Sequence, residues 1–389
     1  MKVWPLTEAD IDRIALGAGI LGTGGGGNPY LGMLMTKAQL KLGRAIRVIR
    51  PCDLAPDAHV LALGNIGAPT VSVEKMEEGD EGIRCLRAIE KQTGRKVDAV
   101  IADEIGGSNG LAPMITAAKL GLPVVDADGM GRAFPEVQMT TFFIHGQATH
   151  PAALADALGN IMLVTNATTP EMLEKLMRAG TVAMGCTAHM TTAPMEGQFI
   201  RDYGVPHTVS QCWELGDTVL AARAAKTDPV EALMARSGGT LLMRGKVTDI
   251  GRRIAAGFVR GSLTVTGLET FSGRNMVIDI QNEYLVAREG DRIHAMVPDL
   301  ICIVDSETGR PITTEEQRYG LRVSVIAIPS PALLRSDIAL KSVGPRAFGY
   351  DFDFVPLGAP TAAQPVAAYQ DTDHSNARPF TPIHSGALS

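Results

Sequence analysis

The sequence predicts an α/β fold: a helix-covered, mostly parallel sheet domain followed by a smaller β-rich domain. Three observations predict it. Between residues 45 and 127 short apolar runs alternate with helix-period stretches, the pattern of parallel strands joined by covering helices. After about residue 238 apolar residues recur with a period of two, as in Met276/Ile278/Ile280, Ile293/Ala295/Val297 and Leu321/Val323/Val325. The chain has 389 residues, 45% hydrophobic and 20% charged, enough for two cores rather than one. The expected division is an α/β domain of residues 1–237 with 330–357, a β-rich domain of 238–329, and a loose tail of 358–389 rich in Pro, Ala and Thr.

The elements follow in order. Thr7 with Asp10 three residues later reads as a helix start, and Ile11, Ile14, Ala15 and Ala18 give the buried face. Asn28 and Pro29 read as the N-cap and first residue of the next helix, with Leu31, Leu34, Met35 and Ala38 as its stripe. Between these helices stands Gly22-Thr23-Gly24-Gly25-Gly26-Gly27. Strands are expected at Val60–Leu63, Val97–Ala102 and Pro123–Asp126, with helices at Glu81–Gln92 and Leu111–Leu120. A strand at Thr140–Ile144 and helices at Glu171–Arg178 and Val209–Ala225 come next, then a short helix opened by Asp228-Pro229. After Ser330 the chain is expected to return to the first domain through Gly344–Tyr350.

Composition excludes several classes of function. A net charge of −6 with scattered Lys and Arg lacks the basic stripe that phosphate backbones require, so nucleic acid is not an expected partner. No apolar run approaches the ~20 residues of a membrane span. The N-terminus has no signal-peptide pattern. The five cysteines are far apart, with no C-x-x-C pair, and read as reduced thiols of a cytoplasmic protein.

Gly22, Gly24 and Gly27 match G-x-G-x-x-G in form. The dinucleotide motif must follow a strand and be trailed by an acidic residue about 20 positions on; here a helix precedes it, and Arg47 and Arg50 lie near that distance. No nucleotide cofactor is expected. The successive glycines Gly24, Gly25, Gly26 and Gly27, with Asn28, instead leave bare amides before a helix N-terminus, where they could cradle an anion or an imide oxygen. A tight helix crossing that only glycine fits is the structural alternative.

Asp103-Glu104 and Asp126/Asp128 stand at predicted strand ends, where open sheets bind ligands and where carboxylates could act as acid and base or hold a metal. Each could equally be a cap or loop acid. Cys186 and His189, three apart after an expected strand, could form an activated thiol or supply two ligands to a divalent metal such as zinc, against the plainer reading of a buried cysteine. His145 and His150 fail the i, i+4 metal spacing. Cys212 and Trp213 are expected to be core.

Three segments carry a family resemblance. Leu21–Tyr30, Asp126–Pro135 (DADGMGRAFP) and Gly344–Tyr350 (GPRAFGY) resemble those of the S-methyl thiohydantoin desulfurase family, and the likeness spans most of residues 6–357. These are bacterial proteins, often associated with hydantoinase and oxoprolinase proteins, with an N-terminal α/β domain and a β-rich C-terminal one. The resemblance implies hydrolysis of a small five-membered thiohydantoin- or hydantoin-like ring, releasing a sulfur substituent by addition and elimination. Such a step needs a nucleophile, a proton shuttle and donors to developing negative charge. On the local chemistry, Cys186 or a metal-bound water would be the nucleophile and His189 with Asp103, Glu104 or Asp126 the acid and base. The glycine amides would hold the ring, with Asn28, Asp128 and Arg132 beside them. Hydantoinase-like ring opening, and a non-catalytic ligand-binding or regulatory subunit of a hydantoinase-like partner, are the alternatives. A homo-oligomer is the expected assembly.

Overall fold

The computed structural model describes residues 2–68, 71, 74–255 and 258–371. A first sheet is built from β1 (Lys2–Pro5), β2 (Arg47–Ile49), β3 (His59–Gly67), β4 (Ala99–Ala102), β5 (Pro123–Asp128), β6 (Ala152–Ala155), β7 (Ile161–Val164), β8 (Thr187–Thr191), β9 (Met195–Glu196) and β10 (Val205–Pro206). The second contains β11 (Thr240–Ala255), β12 (Phe258–Gly267), β13 (Asn275–Gln281), β14 (Glu283–Glu289), β15 (Arg292–Met296), β16 (Leu300–Asp305) and β17 (Arg322–Ile328). A last short strand, β18 (Gln370–Asp371), returns to the first sheet.

The first sheet runs β18-β1-β2-β5-β4-β3-β8-β6-β7, with β10 and β9 paired to β5 and β3 off that path. Its centre, β2-β5-β4-β3, is parallel, and antiparallel strands flank it. The centre is buried on both faces because helices cover it, which is why β4 reads Ala-Val-Ile-Ala without polar alternation. The second sheet, β15-β14-β13-β12-β11-β17-β16, is antiparallel throughout and curls until β15 approaches β16. Its alternating residues Met276, Ile278 and Ile280 fill its own core with Leu263, Val265, Val323 and Val325.

The first helix, α1 (Glu8–Leu21), starts as its sequence predicts: Thr7 accepts from the Asp10 amide, and the Asp10 carboxylate accepts from the Thr7 amide at 2.8 Å. Asn28 caps α2 (Pro29–Lys41), its Oδ1 taking the Tyr30 amide at 2.9 Å. Connections across the sheet are α3 (Glu81–Thr93) and α4 (Ala112–Leu120), followed by α5 (Thr141–Ile144), α6 (Pro170–Ala183), α7 (Gly197–Tyr203), α8 (Thr208–Ala225), α9 (Pro229–Ser237) and α10 (Asp337–Val343). Ile11, Ile14, Ala15 and Ala18 of α1 share one core with Cys212, Leu215 and Val219 of α8. Burying each large aliphatic there contributes about 1.5–3 kcal/mol. Trp213 is partly buried, its indole N–H donating to Asp10 at 2.8 Å. Among the described residues no helix is long and apolar enough to cross a membrane.

Two local expectations are corrected. Thr140–Ile144 is a helical turn, not a strand; the Thr140 hydroxyl accepts from the Phe143 amide at 3.2 Å and so starts a helix that the short apolar run alone leaves undetermined. Cys186 follows the helix α6 and precedes β8, rather than following a strand. Of the tail expected to be loose from residue 358, the described part is anchored: Val366 is buried, Tyr369 donates to Asp126 at 2.8 Å, and β18 pairs with β1. Residues 372–389 of that tail lie outside the described residues. The Gly344–Tyr350 segment joins a cluster that draws Met130 and Phe134 from one side and Leu285, Val286 and Met296 from the other.

Candidate functional site

Because β3, β4 and β5 are parallel, their carboxyl ends emerge on one side, the side where such sheets bind ligands. A cleft of about 890 Å³, solvent at its mouth included, lies at the ends of β3 and β4 and reaches across to the second sheet. From the end of β3 come Asn65 and Gly67; from the end of β4, Asp103 and Glu104, with Ser108 and Asn109 of the turn that follows. Gly26, Gly27 and Asn28 form one wall, and Asn282 and Glu283, where β13 turns into β14, form another. Glu77, Glu136 and Arg178 complete the charged lining.

The carboxyl groups in this cleft are held in unlike states. Asp103 is 3% exposed; burial, then the nearby charges of Asp128 and Glu174, push it up to about 7. No side chain or amide among the described residues donates to its carboxyl group. Glu104 accepts from the Asn109 amide group and, at 3.0 Å, from the Phe134 amide, yet burial and the neighbouring Glu283 hold it well above the usual carboxylate range. Burial also pushes Glu283 up, to about 8, against the pull of the Arg132 charge. Glu77 goes the other way. Burial would raise it, but His189, whose Nε2 stands 3.0 Å from Glu77 Oε2, outweighs burial and keeps it below the usual range. The same carboxylate raises His189 against its own burial, so the two form an ion pair behind the cleft.

The side-chain amides are ordered. Asn109 Oδ1 accepts from the Asn65 backbone amide at 2.6 Å, and Asn65 Nδ2 donates to Glu77 at 3.3 Å. Asn65 Oδ1 is left buried without a donor, as is Glu283 Oε2. Asn282 holds a left-handed backbone, φ 58°, and its Oδ1 accepts from the Val259 amide at 2.9 Å. Arg178 donates to Glu174 at 2.7 Å and to the Pro135 carbonyl at 3.0 Å, so its charge is largely spoken for.

Of the residues singled out from the sequence, Asp103, Glu104, Gly26, Gly27 and Asn28 line this cleft together. The others stand elsewhere. Asp126, within β5, is wholly buried, accepting from His207 at 3.1 Å, from the Ser210 amide and hydroxyl at 2.9 and 2.6 Å, and from Tyr369. Asp128 takes the amides of Ile105, Met130 and Gly131 at 2.8–3.0 Å and so fastens the loop after β4 to the loop after β5; burial pushes it up to about 7 against those amides. Arg132, also fully buried, donates to Thr23 Oγ1 at 2.8 Å and to the Ala133 and Asp299 carbonyls at 2.9 Å each, tying the glycine run to the second sheet. Cys186 is half-buried in a left-handed turn, φ 67°, outside the cleft lining, and His189 is turned to Glu77 instead of to it. Gly24 and Gly25 pack against the second sheet: a β-carbon at 24 would collide with the Tyr284 ring, and one at 25 would stand 2.6 Å from the Glu283 carboxyl carbon. Among the described residues no three His, Cys, Asp or Glu side chains are grouped to hold a metal ion.

Sequence reasoning missed Glu77, Asn65, Asn109, Asn282 and Glu283. Asn282 had a signal: an Asn between two period-two runs marks a turn that needs positive φ. Glu77, inside an acidic stretch, had none.

Fold and cleft together define an α/β protein with a carboxyl-rich cleft closed by a second, antiparallel sheet. The chain belongs to the S-methyl thiohydantoin desulfurase-like (S-Me-THD-like) family: residues 9–166 match its N-terminal domain and residues 168–357 its C-terminal domain. An X-ray crystal structure of a protein from Chromobacterium violaceum has the same fold, with a TM-score of 0.77 and 24% sequence identity over 91% of this chain and 100% of that one. No curated protein matches the chain.

Proposed function

We propose that this protein hydrolyses the sulfur substituent from a five-membered thiohydantoin-like ring, using Asp103 as the acid and Glu77 as the base. One observation carries the reading: the two carboxyls line one cleft while their surroundings push one up to about 7 and hold the other below the usual range. Groups driven apart in this way are the mark of an acid and base working at one pH.

In the step inferred, water adds to the ring carbon that bears the sulfur and gives its proton to Glu77. Asp103 delivers a proton to the ring nitrogen of the same C=N unit. The tetrahedral intermediate then collapses: its hydroxyl gives its proton to the Asp103 carboxylate as the C=O forms, the C–S bond breaks, and the sulfur leaves as a thiol with the proton Glu77 took, so both carboxyls return to their starting states. The product ring carries a carbonyl where the sulfur was. Asn65 and Asn109 hold Glu77 and Glu104 in place, and no step passes through a metal.

Membership of the family supports the substrate class, and the cleft supports hydrolysis. The test is direct. Purified protein is incubated with an S-methyl thiohydantoin, released thiol is titrated with a chromogenic disulfide, and the ring product is identified by mass. Thiol and hydantoin in equal amounts are expected, with loss in Asp103→Asn and in Glu77→Gln. A ring-opened carbamoyl acid without thiol would mean C–N cleavage instead, and no turnover of either kind would end the enzyme reading.

A further inference from the structure

We propose that Glu283, contributed by the second sheet, reads the N–H and C=O edge of the bound ring, so that the site takes heterocycles with a free ring N–H and turns away those methylated there. The proposal rests on the ring-hydrolase reading above and deepens it from reaction to substrate selection.

Glu283 lines the cleft yet is only 2% exposed, and its Oε2 has no hydrogen-bond partner among the described residues. A buried polar atom left so carries a desolvation penalty that a ligand hydrogen bond removes. The group is also held still. The backbone of Gly25 lies against its carboxyl, where even a methyl group would not fit, and Tyr284, the next residue, is fixed by a hydrogen bond from its amide to the Thr23 carbonyl at 2.8 Å. A carboxyl held still at a cleft wall, with one oxygen left without a partner, is suited to recognition rather than to carrying a surface charge.

Its chemistry selects the partner. A neutral carboxylic acid offers one acceptor and one O–H donor side by side. A five-membered ring amide offers the complement, an N–H next to a C=O, locked cis by the ring. Burial holds Glu283 well above the usual carboxylate range, which favours the neutral form that donates as well as accepts. Removing the N–H of the ligand would leave the acceptor oxygen buried and unpaired again, and sites built on such pairs reject the analogue strongly. The edge concerned is N3–H with C4=O, which is common to the substrate and the product because the reaction occurs at C2.

The experiment is calorimetric titration of the full chain with hydantoin and with 3-methylhydantoin at neutral pH. Wild type should bind 3-methylhydantoin about tenfold or more weakly. Glu283→Gln, which keeps one donor and one acceptor, should preserve the gap; Glu283→Leu should close it to within about twofold. If Glu283→Leu does not fold, judged by circular dichroism, the wild-type gap and its survival in Glu283→Gln decide. A wild type that releases thiol from an S-methyl thiohydantoin but shows no preference for hydantoin overturns this inference alone. A gap that persists in Glu283→Leu does the same. A wild type that neither turns over a thiohydantoin nor binds either ring overturns the functional reading, and this inference with it.

Discussion

The backbone of Gly25 lies against the side-chain carboxyl of Glu283, so close that a β-carbon at position 25 would stand 2.6 Å from the carboxyl carbon. The glycine run is thus where the two sheets of the molecule meet. Its carbonyls at Thr23 and Gly24 accept from Tyr284 and Thr314 at 2.8 Å each, and Arg132 bonds the Thr23 hydroxyl from below. The carboxyl group that lies against these glycines is the protein's own.

Gly25→Ala should therefore act on both stability and ligand binding. The added methyl group has to displace Glu283 or the loop, a strain of about 1–3 kcal/mol. Thermal denaturation should show a lowered midpoint. Hydantoin titration should show weakened binding in the fraction that remains folded, whereas unaltered binding would mean that Glu283 does not meet the ring.

The pH dependence follows from Asp103 and Glu77. As the acid, Asp103 must be protonated, so kcat/KM should fall as pH rises through about 7. Glu77 must be charged, and because its folded value is depressed, the acid limb should lie below the usual carboxylate range. Asp103→Asn should lower the rate by about 10²–10⁴-fold and remove the fall centred near 7, leaving only the more alkaline fall that ionisation of Glu283 brings. A profile of kcat/KM from acid to alkaline pH checks both limbs.

Asp103 also links stability to pH. Its folded value is raised, so its contribution is complete below the value of the unfolded chain and is lost as pH rises towards about 7. Asp103→Asn carries no such charge into the cleft. Chemical denaturation at alkaline pH should find the variant more stable than wild type, with the difference vanishing in acid.

Cys186→Ser should leave turnover within about twofold of wild type, because its thiol lies outside the cleft and His189 is committed to Glu77. Loss of thiol release in this variant, with the fold intact by circular dichroism, would return the nucleophile to Cys186.

Asp126→Ala should damage the fold. The side chain is wholly buried and takes hydrogen bonds from Ser210, His207 and Tyr369. Its removal strands those donors at a cost of about 3 kcal/mol. Urea denaturation measures that cost, and activity per folded molecule should stay near wild type.

Caps and burial periods in the chain placed most of the long helices and strands and the fold class, though not the helical turn at Thr141–Ile144. Thr7 with Asp10, Asn28 with Pro29, and Asp228 with Pro229 start helices where they stand, because capping is settled within a few residues. The apolar runs of β3, β4 and β5 and the period-two strands of the second sheet were legible because a burial pattern leaves its period in the chain. The site was half legible. Asp103 and Glu104 could be found because a parallel strand end is a known address for ligands. Tertiary structure alone decided the rest. Asp126, two residues before the end of the same strand as Asp128, looks no different in sequence, yet one is a buried hub and the other a loop fastener. Glu77 acquires its charge state from His189, 112 positions away, and Glu283 reaches Gly25 from a different sheet. Carboxyl groups owe their chemistry to burial and to neighbouring charge, and both are fixed only when distant segments are brought together.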